Sequence, residues 1–404
     1  MRLSFTRCFA RLIAVAVLGF ATADIERATA ATADEPSYSD WFKVTPETAQ
    51  MWSVSGVGDD PYQVRVVRYE SAGVTGPLRK IAVFYPRPSS AYDTAISKIL
   101  GVFAEKGINA EFTVYNFRTD DAEGVKALKV AKKNGAELIF AMGSESTAWL
   151  YANFHDGPIP VISVCSKDPV LLGQTKAYDS GSGTNFAFTS LNMPVEVQMA
   201  YVLDFKPNLK NFAILVDSQN VSAVETQAKP IAAVAKQRGI QVLYLDVKNP
   251  ENAKTELAEL VSSAVTTMRK SDPSLDDSLF WITGSTSVFK EIATINSSSD
   301  RVPVLSVVPE NVKAGNDSAV MSIGISFESN AHLAAIYGAD VLAGTRKAGE
   351  LPVGIVSPPD IAINFRKVRE IGLNIPFNFV ESASKLYDYD GNEVGTAKGT
   401  GSGS

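Results

Sequence analysis

The run 138-LIFAMGSESTAWL-150 returns in altered form as 280-FWITGSTSVFK-290. In each, a short apolar segment ends in a Gly-Ser turn and passes into a sequence with helical periodicity. A continuous apolar run of this length reads as a strand buried on both faces, the strand type of parallel sheets covered by helices. Taken alone, the first copy also fits the setting of a hydrolase nucleophile, a serine on a sharp strand-to-helix turn. The second copy moves the question to the fold. A chain that uses this turn twice is built of two similar halves.

The neighbouring sequence extends the match. Shifted by 132 residues, 81-IAVFYPRPSSA-91 lies over 213-AILVDSQNVSA-223 without a gap, and 106-KGI-108 lies over 238-RGI-240. The Gly-Ser turns stand 141 residues apart, and 159-IPVISV-164 matches 302-VPVLSV-307 at a spacing of 143. An offset that grows along the chain is what changes in loop length between copies produce. Apolar runs beginning near residues 81, 112, 138, 161, 212, 242, 279 and 304 alternate with helical segments. Two of these, 93-DTAISKILGVFAEKG-107 and 225-ETQAKPIAAVAKQRG-239, end in Gly, a common helix stop, and Pro230 predicts a kink or a late start in the second. The predicted fold class is α/β, with two doubly wound, Rossmann-like parallel-sheet lobes.

A length of 404 residues accommodates two or three cores, and 45% hydrophobic with 20% charged residues is ordinary for a globular protein. The net charge of -6 argues against nucleic acid or anionic lipid as a partner, since both need concentrated Lys and Arg. Arg2, Arg7 and Arg11 precede or enter an apolar run from Leu12 to Ala21, and small-residue sites follow. This pattern predicts a signal peptide over residues 1–33, cleaved after residue 23 or 33, and hence a periplasmic location. Cys8 lies before the apolar run, so it is not placed to accept a lipid anchor. Cys165 is then left alone, read as a small buried hydrophobe with no disulfide partner. Residues 34–78 read as an N-terminal extension with one exposed strand at 62-YQVRVVRY-69. Residues 387–404, which end in a Gly/Ser-rich stretch, read as a disordered tail.

In open parallel sheets, ligands lie beyond the carboxyl ends of the strands. In the first half that rule selects Arg87, Ser89, Ser90 and Tyr92, then Ser144, Glu145 and Ser146, then Ser166 and Asp168. In the second half it selects Asp217, Gln219 and Asn220, then Ser285 and Thr286, then Glu310. Such hydroxyl, amide and carboxylate groups suit a small polar solute. The four acids Glu145, Asp168, Asp217 and Glu310 favour one with a cationic or donor-rich part. The serines have an alternative role as helix N-caps, and Asp168-Pro169 as a plain turn.

An enzyme fits less well. The turn 143-GSEST-147 lacks the last Gly of the hydrolase elbow, and the two histidines are His155 and His332, the first more than two helical turns from Ser146. There is no His pair or Cys pair at metal-binding spacing and no phosphate loop. No catalytic residue, metal ligand or cofactor is therefore expected.

The segments 135-GAELIFAMGSEST-147, 159-IPVISVCSKDPV-170, 340-DVLAGTRKAGELPV-353 and 360-DIAINFRKVREIGLNIP-376 resemble the substrate-binding proteins of ABC importers with the type 1 periplasmic fold. Within these the chain is most similar to the group that includes tryptophan- and tyrosine-binding members. The resemblance implies two lobes joined by three crossover strands, with lobe 1 at 79–189 plus 320–347 and lobe 2 at 190–319 plus 348–386. It also implies a monomer that closes on a solute and delivers it to a membrane permease and its ATPase. A sensor that presents a solute to a signalling receptor shares every one of these features. The chain departs from the family pattern in 217-DSQNVS-222, where an inserted Val displaces the Asn and Ser. It departs again at Glu145, which brings a charge into the first turn, and in the 34–78 extension.

Overall fold

The structure, a computed structural model, describes residues 37–69 and 74–394. The predicted signal peptide lies outside the described residues. The first half supplies β1 (Trp52–Val57), β2 (Asp60–Arg68), β3 (Thr75–Tyr85), β4 (Ile108–Asn116), β5 (Leu138–Met142), β6 (Val161–Val164) and β7 (Phe186–Ala187). A short strand, β8 (Thr189–Ser190), leads to β9 (Asn211–Asp217), β10 (Gln241–Val247), β11 (Ser278–Ile282), β12 (Val304–Ser306) and β13 (Met321–Gly324). The chain finishes with β14 (Gly354–Ile355), β15 (Asp360–Asn364), β16 (Lys385–Tyr387) and β17 (Glu393–Val394).

These strands make a seven-stranded sheet, β1-β2-β4-β3-β5-β6-β7, and an eight-stranded one, β10-β9-β11-β12-β13-β15-β16-β17. Each contains the same parallel run of five: β4-β3-β5-β6-β7 in one, β10-β9-β11-β12-β13 in the other. An order with the second strand outside the first is a doubly wound arrangement. The strands paired by the sequence repeat, β3 with β9, β5 with β11 and β6 with β12, occupy matching positions.

Burial explains the continuous apolar runs. Every residue of β5, β9 and β11 is buried. Successive side chains of a strand point to opposite faces. Ile81, Val83 and Tyr85 of β3 accordingly enter one core, and Ala82 and Phe84 enter another. In β9, Phe212, Ile214 and Val216 separate from Ala213 and Leu215 in the same way. Central strands such as β5, β9 and β11 are covered on both faces and need no polar side, whereas β1 and β10 at the sheet edges keep exposed positions.

The sheet edges differ from expectation. The single exposed strand predicted at 62–69 is β2, one arm of a hairpin with β1, and it pairs antiparallel with β4. Val64 and Val66 are fully buried, and Trp41, Phe42 and Trp52 join the same core. The Lys43 N–H donates to the Asp93 carboxylate at 3.0 Å and the Thr45 N–H to Ser97 Oγ at 3.0 Å. Residues 37–68 are therefore built into the first lobe. β1 has little strand signal in the sequence, because 52-WSVSGV-57 is polar and carries a Gly, and only its Trp is deeply buried. The predicted tail is also ordered as far as residue 394. β16 extends the second sheet, and β17 folds back on it around a turn in which the Asp388 carboxylate accepts the N–H groups of Asp390 and Asn392. Residues 395–404 lie outside the described ones.

The chain passes between the sheets three times: at β8, at residues 325–326, and at β14, which pairs with β8. β13 belongs to the second sheet, so the first lobe resumes near Phe327, where residue 320 was expected. Ala348, Leu351 and Val353 pack into first-lobe cores, which moves the last crossing past Lys347. The predicted helix around 225–239 begins at Val221. A π turn at Val224–Ala228 runs directly into the α-helix Lys229–Gln237, and Pro230, which has no N–H to donate, sits just past that turn.

Candidate functional site

Loops from the carboxyl ends of both sheets line one cavity. After β3 come Arg87, Ser89 and Tyr92; after β5, Gly143 to Glu145; after β6, Lys167. The second lobe contributes Asn220 and Ser222 after β9, then Gly284 and Thr286 after β11. Residues at and beside the crossings, Leu191, Val307, Val308, Ile325 and Phe327, supply apolar surface, and Phe289 adds an aromatic ring.

The first turn requires glycine for two reasons. Gly143 has φ 78°, a left-handed conformation, and a side-chain carbon there would stand 2.1 Å from Tyr92 Oη. Tyr92 packs edge-on against Tyr85 at 5.3 Å. Its phenol is pushed well above the ordinary range, first by burial and then by Glu145, which leaves a neutral hydroxyl facing the cavity.

The serines do not cap their helices. The helix Gly143–Phe154 begins without a side-chain cap. Ser144 Oγ instead accepts the Lys167 N–H at 3.0 Å, and Ser146 donates to the Phe84 carbonyl at 3.0 Å from a fully buried position. Ser285 precedes the short helix Thr286–Phe289 and likewise makes no cap, its hydroxyl accepting the Asp217 N–H at 3.4 Å. The hydroxyls tie neighbouring strand ends together.

The second-lobe turn is braced from behind. Gly284 N–H donates to Gln227 Oε1 at 2.7 Å, Gln227 Nε2 donates to Asn192 Oδ1 at 3.4 Å, and Asn192 Nδ2 donates to the Thr226 carbonyl at 2.6 Å. The π turn thus joins the residue just past β8 to the cavity wall.

Three charged side chains line the cavity: Arg87, Glu145 and Lys167. Arg87 and Glu145 pair at 3.1 Å, both about half exposed. Among the described residues the Lys167 ammonium has neither a carboxylate within ion-pair distance nor a hydrogen-bond acceptor. Burial draws it down to about 8, with Glu145 opposing the shift and Arg87 reinforcing it.

Of the residues expected at the site, Arg87, Ser89, Tyr92, Ser144, Glu145, Asn220 and Thr286 line this cavity. Ser90, Asp217, Gln219 and Glu310 line a wider mouth that shares part of its wall. Ser146, Ser166, Asp168 and Ser285 line neither. Asp168 accepts the N–H groups of Val170 and Leu171 at 2.9 and 3.0 Å and the Tyr178 hydroxyl at 2.6 Å, so it is the turn residue of its alternative reading. Ser166 is buried beneath the crossing, its carbonyl accepting the Leu191 N–H. Asp217 accepts from the Gln219 N–H and the Ser287 hydroxyl. Glu310 accepts the Phe327 N–H at 2.6 Å, at the start of the helix Phe327–Leu342. With Glu145 paired to Arg87, all four acids are thus engaged with the protein, which removes the ground for a cationic solute. Lys167 shares its loop with Asp168, the residue the acidic pattern selects, and Gln227 lies within a segment whose sequence signals only a helix.

Neither histidine lines the cavity. His155 Nδ1 lies 3.0 Å from the Tyr151 carbonyl, and His332 sits within the helix Phe327–Leu342. Burial pushes the Cys165 thiol well up, with Glu310 adding to the shift, so Cys165 is not a thiolate. Among the described residues no group of three or more His, Cys, Asp or Glu is placed to hold a metal ion.

Two doubly wound lobes facing each other over a cavity, with three crossings beside it, define the type 1 periplasmic binding architecture. The family model described as ABC transporter substrate binding protein matches residues 80–386, and the chain belongs to that family. Its fold is shared by a conserved domain protein from Vibrio cholerae (18% identity, TM-score 0.61, 76% of this chain and 99% of the other). An ABC domain from Streptococcus pneumonia, solved with L-Trp, is similar at 19% identity, with a TM-score of 0.60 over 77% and 100% of the two chains. A substrate-binding protein with adhesive properties from Clostridium difficile, in a ligand-free, open structure, is similar at 18%, with a TM-score of 0.57 over 79% and 99%. No curated protein sequence matches the chain significantly. Among the described residues, no helix is long and apolar enough to cross a membrane.

Proposed function

We propose that this protein is an exported, monomeric solute receptor of an ABC importer. It binds a small molecule in the cavity between its lobes and hands it to a membrane permease and its ATPase. The observation that carries this reading is a cavity lined by strand-end loops of both lobes and by the crossings that join them. A solute there touches both lobes at once, so its binding energy favours the arrangement in which they meet. The L-Trp complex of the Streptococcus relative supports a small organic solute.

A thermal-shift screen over amino acids, organic acids, amines, nucleosides and sugars tests the reading. A true solute at about 100 times its dissociation constant stabilises the fold by about 2.7 kcal/mol, a shift of a few degrees. If no member of such a library moves the melting temperature, the receptor reading fails.

A further inference from the structure

The charge balance of the cavity selects a class of solute. Its three charged side chains sum to one positive charge, and only one of them lacks a partner. Glu145, the one carboxylate in the wall, already holds Arg87 at 3.1 Å. A solute ammonium arriving there has to compete with that guanidinium. Lys167 is in the opposite position, with an ammonium partly withdrawn from water and no acceptor among the described residues. Leaving a cation in such surroundings is unfavourable, and a single anionic group placed against it offsets that penalty. The apolar part of the wall is Leu191, Val307, Val308 and Ile325 near the crossings, with the rings of Phe289 and Phe327; uncharged polar groups, among them Ser89, Asn220, Ser222 and Thr286, make up the remainder. Tyr92 and Ser144 bring hydroxyls into the same space.

We infer that the solute is a monocarboxylic acid with an apolar body and no α-ammonium group, its carboxylate held by Lys167 and its body lying against the apolar residues beside the crossings. One unpaired cation matches one negative charge, and the wall has no second unpaired cation for a dianion. This inference rests on the receptor reading above and names the substrate class of that same cavity.

Calorimetric titration of the full chain with sets matched in carbon skeleton tests it. Hydrocinnamate is compared with phenylalanine and phenethylamine, and isocaproate with leucine and isoamylamine. At least one acid is expected to bind about tenfold or more tightly than its amino-acid and amine counterparts. Lys167→Met is expected to remove that binding while melting near the wild-type temperature, and Lys167→Arg to retain much of it. Tighter binding of an amino acid or amine than of its matched acid overturns the inference and leaves the receptor reading standing. Unchanged acid binding in a folded Lys167→Met protein overturns it as well. If neither set binds while another solute of the broad screen does, the inference falls alone; if nothing in either experiment binds, both readings fall.

Discussion

At Gly143 one missing carbon serves two needs, a left-handed turn and room for the Tyr92 hydroxyl. Gly143→Ala meets both obstacles. A non-glycine residue in that conformation costs ~1–2 kcal/mol, and the clash with a buried tyrosine adds to it. The variant should lose at least ~2 kcal/mol in denaturant unfolding and bind solute more weakly. Wild-type stability in that variant would show that the turn relaxes freely. Lys167 gives the second prediction at this scale. Its ammonium titrates at about 8 before a ligand arrives, and an anion favours the protonated form. Affinity for a carboxylate solute should be flat well below pH 8. Above it, affinity should fall by about tenfold per pH unit, because each binding event must then take up a proton. Lys167→Arg, which stays protonated, should abolish the slope.

Among the elements, the helix Phe327–Leu342 begins directly after a crossing and is held there by two carboxylates from the second lobe. Ser326 N–H donates to Asp360 at 2.9 Å and Phe327 N–H to Glu310 at 2.6 Å. Burial raises Glu310 to about 7; its own N–H and that of Phe327 oppose the shift, Asp360 adds to it and Lys385 opposes it. A raised carboxyl makes its contribution to stability below its unfolded value of 4.5 and loses it as pH climbs through about 7. Glu310→Gln keeps a carbonyl to accept the Phe327 N–H and removes the charge. Its stability should vary less with pH between 4.5 and 7, and exceed wild type above that window by on the order of 1–3 kcal/mol. An unchanged slope in chemical denaturation would assign the pH dependence elsewhere. This junction also marks where sequence reading stops. Strands such as β5 and β11 were legible because burial on both faces leaves only apolar residues. The two lobes were legible because the Gly-Ser turns repeat. Glu310 was visible as an acid in the right loop, but whether it faces a solute or a helix end depends on where Phe327 begins its helix, 17 residues further on. Lys167 and Gln227 carry no local signature at all. Their roles come from loops far apart in sequence that the fold brings together, which periodicity does not encode.

The whole molecule depends on how closely its lobes approach, and one position measures that directly. Gly284 lies in the second-lobe turn, and a side-chain carbon there would stand 3.1 Å from Gln227 Oε1 and 3.5 Å from Cε of Lys167, which belongs to the first lobe. Its backbone is not left-handed, so a larger residue tests space rather than backbone strain. Valine adds two methyl groups beyond that carbon, in a gap already at van der Waals contact with the other lobe. The lobes have separate cores and meet through three crossings, so a wedge here is relieved more easily by opening the cavity than by disrupting either core. Gly284→Val should therefore melt within a few degrees of wild type yet bind solute about tenfold or more weakly. Solution scattering supplies the second readout. Wild type should contract when saturated with solute, because a ligand touching both lobes favours their closed arrangement. The valine variant, at a solute concentration that compensates for its weaker affinity, should contract less. Equal contraction in both proteins would mean that the turn yields and that closure is limited elsewhere. If wild type keeps its radius on binding, the lobes are already held in their final arrangement and the solute enters a preformed cavity.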